Sequence, residues 1–130
     1  MTLTRSRLVE AVACACHQQN KAHCESLGDS SQPSWSDAPG WQKTSAIAGV
    51  EGALKGNSPE QSHESWLAHK REEGWVWGPY KNPEAKVHPC MVPYSDLPVA
   101  QKAKDSLFVS MVRELGLTMG LITNPSESDR

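Results

Sequence analysis

The chain of 130 residues repeats itself, and the repeat limits its folds more than any other feature. His17, Ala22, His23 and Gly28 recur 46 residues later as His63, Ala68, His69 and Gly74. A second match sets Trp35-Ser36-Asp37-Ala38-Pro39-Gly40-Trp41-Gln42-Lys43 against Tyr94-Ser95-Asp96-Leu97-Pro98-Val99-Ala100-Gln101-Lys102, with five of nine residues identical at an offset of 59. Ser-Asp-x-Pro is an ordinary helix start, so this match alone carries little weight. The paired histidines make coincidence harder. The unequal offsets leave the second half thirteen residues longer between its helices, and function tends to sit in such insertions. Two helix pairs of this size, each apolar on one side, bury too little alone. They are expected to pack face to face about a pseudo-two-fold axis, with a cleft at their junction.

Hydrophobic spacing and caps give four helices. Leu8, Val12, Ala15, Cys16, Gln19 and Leu27 predict an inward stripe on a helix from about Thr4 to Leu27, closed by Gly28 as a left-handed cap. Asp37 or a neighbour caps a second helix with Pro39 in its first turn; Ala46, Ile47, Val50 and Leu54 are its buried stripe and Gly56 its end. Ser58-Pro59-Glu60-Gln61 is a capping box, predicting a third helix to Glu73 that stops at Gly74. Between Trp75 and Tyr94 lies a long loop, read as two short extended pieces, Trp75-Val76-Trp77 and Val87-His88, joined by a turn. Pro98 opens the last helix, with Ala100, Ala103, Leu107, Phe108, Met111, Val112 and Leu115 inward up to Gly116. The expected fold is mainly α: two pseudo-symmetric helical hairpins packed together, with short β-strands in the loop of the second half. One domain spans 1–122, its halves 4–56 and 58–116, and 123–130 is expected to be a flexible tail.

Composition removes several function classes. Thirteen Lys and Arg against fifteen Asp and Glu leave a formal charge of −2, without the basic excess that non-specific nucleic-acid binding needs. No stretch approaches the roughly 18 apolar residues of a membrane span, and the first ten residues lack a signal-peptide core. A cytoplasmic protein is expected, with Cys14, Cys16, Cys24 and Cys90 as reduced thiols. Cys14, Cys16, His17, His23 and Cys24 are the right residue types for zinc. On one helix, however, His17 and His23 diverge by about 240° and Cys14 and Cys16 by about 200°, so no metal is expected. The histidines are read instead as hydrogen-bonded interior groups, with Cys16 and Cys24 as small apolar fillers. Cys90 follows His88-Pro89 with no third group to orient a base, and no glycine-rich phosphate loop precedes a helix. Neither an enzyme nor a bound cofactor is expected.

The second half carries, in order, His63-Glu64-Ser65-Trp66, Lys70, Gly74-Trp75-Val76-Trp77-Gly78, Lys86-Val87-His88-Pro89-Cys90-Met91-Val92-Pro93-Tyr94, Leu97-Pro98 and Lys104-Asp105. This resembles the ryanodine-receptor (RyR) repeat domain, and the whole chain resembles its small free-standing bacterial and phage members. The resemblance implies a mainly helical domain of two pseudo-symmetric halves with short strands and no catalysis. It also implies a sensor of nucleotide-derived signals.

Side-chain chemistry points the same way. Trp66, Trp75, Trp77, Tyr80 and Tyr94 lie in or beside the long loop, and each adenine stacked on such a ring gains ~1–3 kcal/mol. Lys70, Arg71, Lys81 and Lys86 flank the rings as phosphate partners, and His88 can donate to a phosphate or ribose oxygen. Trp35 and Trp41 hold the matching place in the first half and are candidates for the other wall of the cleft. Each has a bland reading: Trp66 and Trp75 fill a phenylalanine-poor core, Lys86 and His88 tie the loop to a helix end, and Trp35 and Trp41 staple a helix start. The expected function is a module that binds an adenine nucleotide, an ADP-ribose-like molecule or a cyclic nucleotide, in a phage to sequester a defence signal. The alternatives are a protein-interaction or homodimer module, and then a nucleotide hydrolase using His88 or His63.

Overall fold

In the computed structural model, residues 4–123 are described. The predicted tail from residue 123 therefore lies, but for its first residue, outside the described residues. Four helices, α1 (Arg5–Ser26), α2 (Gly40–Leu54), α3 (Pro59–Glu72) and α4 (Val99–Thr118), and two strands, β1 (Val76–Trp77) and β2 (Val87–His88), make a mainly helical fold. Short 3-10 turns at Trp35–Asp37 and Tyr94–Asp96 lead into α2 and α4. The described residues form two compact units, one of 4–56 with 110–123 and the other of 57–109. Helix α4 gives its first half to the second unit and its remainder to the first.

In the first unit, α1 packs on α2 and buries Val9, Val12, Ala13, Cys16 and Cys24, while α2 buries Val50, Ala53 and Leu54. The α1 stripe is rotated from the predicted one: Gln19 and Leu27 are exposed, because Leu27 is the C-cap, beyond the last turn that packs. Pro39 is the N-cap of α2, not its first residue, since the 3-10 turn delays the helix to Gly40. Gly116 does not end α4. It is buried within the helix, where a Cβ would stand 2.7 Å from Leu54 Cδ2 and 3.2 Å from Ile122 Cγ1, and the left-handed residue after α4 is Gly120, at φ +76°.

The second unit is built on α3, whose capping box of Ser58 and Gln61 and proline at its start form as predicted. Leu67, Trp75 and Met91 are its buried apolar cluster, with Trp66 packed against them. The strands pair in parallel, Val76 with Val87 and Trp77 with His88. The predicted turn therefore does not join them as a hairpin would. It lies inside the connection, where Asn82 and Val87 exchange backbone hydrogen bonds of 2.9 and 3.0 Å around Lys86 at φ +57°. The inward face of α4 also differs from the prediction. Ala100, Ala103 and Leu107 are exposed, while Gln101, Lys104, Asp105 and Phe108 are half-buried and Val109 and Val112 buried.

The repeat holds at the level of single bonds. His17 Nε2–H donates to the Pro33 carbonyl at 2.7 Å, as His63 Nε2–H does to that of Val92. The Trp35 N–H donates to Gln18 Oε1 at 2.9 Å, and the Tyr94 N–H donates to Glu64 Oε1 at the same distance. Each of those rings meets its histidine, at 5.7 Å and 6.2 Å between centroids. Lys43 lies 5.7 Å over Trp35 and Lys102 5.3 Å over Tyr94. The helix ends match too: the Asp29 N–H closes on the Cys24 carbonyl and the Trp75 N–H on that of Lys70, around Gly28 and Gly74 at φ +89° and +93°. His23 and His69 do not follow. Both are exposed, since their helix positions turn away from the loop carbonyls that His17 and His63 reach.

Candidate functional site

In the second unit, the last turn of α3, the β1–β2 ladder and the first turns of α4 bring a group of rings and cations together around His88. The Cys90 N–H donates to His88 Nδ1 at 2.9 Å. A backbone N–H can only donate, so Nδ1 is an acceptor and the neutral ring carries its proton on Nε2. Trp66 meets His88 edge-on at 5.1 Å, and Trp75 lies tilted to it at 6.3 Å. Burial first, and then Lys81, Lys70, His63 and Lys104, lower its pKa from 6.5 to about 4. The imidazole is therefore neutral at physiological pH in a cationic setting.

The predicted site residues sort into a floor and an outer surface. Trp75, 7% exposed, belongs to the core, and Lys70, 3% exposed, lies 5.3 Å over its ring while donating to Glu73 Oε1 at 3.1 Å. Trp66 packs between His63, at 5.6 Å, and His88. Tyr94 is half-buried against His63 and Lys102. These residues leave little ring face for a guest. Trp77 is 57% exposed and Tyr80 83%; Trp77 is the strand partner of His88. Lys81 is also exposed. Lys86 Nζ donates to the Glu73 carbonyl at the end of α3 at 2.7 Å, where a cation is favoured by the helix dipole; this is the loop tie the sequence allowed. Trp35 and Trp41 lie in the first unit. The former is held by His17 and Lys43 and the latter is 42% exposed.

Sequence reasoning left out of the site three residues of α4: Gln101, Lys104 and Asp105. Gln101 Nε2 donates to Asp105 Oδ1 at 3.1 Å, and Asp105 Oδ2 is buried without a hydrogen-bond partner. Burial raises the pKa of Asp105, and Gln101, His63 and Lys104 oppose it. The signal was present: Gln101, Lys104, Asp105, Phe108 and Val112 share one helical face, so polar residues occupy core-facing positions. Burial also raises the Cys90 thiol, and pushes the Cys16 thiol up to about 11, so both stay protonated and poorly nucleophilic. All four cysteines are free, and no group of three metal-ligating side chains occurs among the described residues. None of the described helices is long and apolar enough to cross a membrane.

A repeat-built helical domain with one short parallel ladder, its polar side chains gathered around a single loop, defines a class of small helical modules. The family model described as the RyR domain matches residues 52–121, more than half of the chain. The chain belongs to the RyR domain family. The match takes in the whole second unit from Asn57 to Val109 and continues past the end of α4.

Proposed function

We propose that the chain is a non-enzymatic, cytoplasmic module that binds a nucleotide-derived small molecule. Adenine nucleotides, ADP-ribose-like molecules and cyclic nucleotides are the ligand classes. One observation carries the reading: the exposed Trp77 ring stands in strand register with His88, and lysines surround His88. A flat base gains ~1–3 kcal/mol from such a ring, and ammonium groups balance the attached phosphates. The neutral thiols and imidazole, all poor nucleophiles or bases at physiological pH, favour holding over turnover. Encoded by a phage, such a module would remove a defence signal by sequestration.

Indole fluorescence titrated with AMP, ATP, ADP-ribose and a cyclic dinucleotide tests this. At least one ligand is expected to quench Trp77, and Trp77→Ala to weaken that ligand about ten-fold or more, within the usual worth of one stacked base. Silence across the panel removes the reading. A second reading rests on the exposure of Val76, Trp77 and Tyr80, at 57%, 57% and 83%, since exposed apolar and aromatic residues are suited to anchoring a protein or a second copy of the chain. A stable dimer that protects Trp77 from a soluble quencher would favour it.

A further inference from the structure

We propose that His88 Nε2–H, together with Lys104 of α4 and Lys81 of the loop, forms the seat for a phosphoryl group. This deepens the nucleotide reading and rests on it for the rest of the ligand. Lys86 has a different job, tying the loop to the end of α3 through the Glu73 carbonyl.

Three observations meet here. The Cys90 N–H occupies Nδ1 of His88, so the proton on Nε2 is oriented, and this donor makes no hydrogen bond to a described residue. Lys104 is half-buried yet forms no hydrogen bond or ion pair with any described residue. Its stem is covered while its ammonium keeps access to solvent, so an anionic guest can meet it there, beside Asp105, whose pKa it lowers. Finally, Lys81 and Lys104 both act on the His88 ring and on the Cys90 thiol, which sets the loop cation and the helix cation about the same two residues. The nearby acidic group, Asp105, raises the Cys90 pKa and is itself held through Oδ1 by Gln101. Two ammonium groups and one neutral N–H donor suit the several acceptor oxygens of a phosphate.

The probe is inorganic pyrophosphate, added to the full chain and followed through the histidine side-chain NMR signals. The expected result is a selective shift of His88 and a rise of its titration midpoint, because an anion offsets the cations that lower it. Lys104→Gln is expected to weaken pyrophosphate at least ten-fold, Lys104→Arg to restore most of it, and Lys55→Gln on the first unit to change nothing. Thermal melts confirm that the variants fold. An unmoved His88, or pyrophosphate binding unaffected by Lys104→Gln, overturns the seat. A parallel titration with adenosine separates the two ideas. If adenosine and every nucleotide fail to quench Trp77 while pyrophosphate still shifts His88, the nucleotide reading falls and the seat stands.

Discussion

His88 is neutral because its surroundings oppose a second proton, and that has a consequence for stability. In the unfolded chain it titrates near 6.5; in the fold the midpoint drops to about 4 through burial and the lysines around it. Between those values the unfolded chain binds more protons, so stability falls as pH falls, by at most about 1.4 kcal/mol per pH unit from this group. His88→Asn keeps an acceptor close to the place of Nδ1 for the Cys90 N–H and removes the titration. Denaturant melts from pH 7 down to 4 are expected to show a shallower loss for the variant than for the parent, and parallel curves would refute this. Asp105 works with the opposite sign. Its raised pKa means that the fold favours the protonated acid, so ionisation as pH rises through that value costs stability. Asp105→Asn keeps an oxygen for Gln101 and cannot ionise, so its melting temperature relative to the parent is expected to climb as pH rises from acid to neutral. A difference that stays constant with pH would count against the account.

At the scale of elements, the β1–β2 ladder positions the site, and Gly78 makes it possible. A Cβ at Gly78 would overlap Val87 Cγ1, and the Gly78 N–H reaches the His88 carbonyl at 3.4 Å. Gly78→Ala is expected to push the strands apart at a cost of about 1–3 kcal/mol, as overpacking does. A thermal melt lowered by several degrees and an altered His88 side-chain signal would register it; unchanged values for both would show that the ladder yields easily. The parallel pairing itself was not legible in the sequence. Two extended pieces with Gly-Pro and Asn-Pro between them read only as pieces joined by a turn; parallel strands ordinarily need a longer crossover, and nothing local reveals that the tight turn closes on Asn82 and Val87. The start of α3 was legible to the residue, because the bonds of its capping box are local, and its end fell one residue short of the predicted Glu73, which is the C-cap. The inward face of α4 was misread because its apolar alanines and Leu107 kept helical spacing while the buried face carried Gln101, Lys104 and Asp105. Gln101 and Asp105 answer each other within the helix, so polar residues can sit on the covered face, which a periodicity argument built on apolar residues does not see.

For the whole molecule, the question is what the duplication was kept for. Both units carry the same histidine-to-carbonyl bond, the same side-chain oxygen on the backbone N–H of the aromatic residue, and the same lysine over the aromatic ring. These contacts fix the entry to α2 in one unit and to α4 in the other, so the shared device is architectural. The repeat at two offsets made this much readable from sequence, and a histidine six residues further along shared the spacing without sharing the role. What differs is the connection. From Gly74 to Tyr94 the second unit has a strand ladder, Trp77, Lys81 and His88, whereas from Gly28 to Trp35 the first has a polar stretch with no strand and no lysine. A duplicated scaffold with one elaborated loop should therefore bind one ligand per chain. Calorimetric titration with whichever nucleotide quenches Trp77 is expected to give a stoichiometry near one, and Trp77→Ala to remove that event without exposing another. A stoichiometry of two would mean that the first unit, with Trp35 and Trp41, takes a ligand by chemistry that its short connection does not suggest.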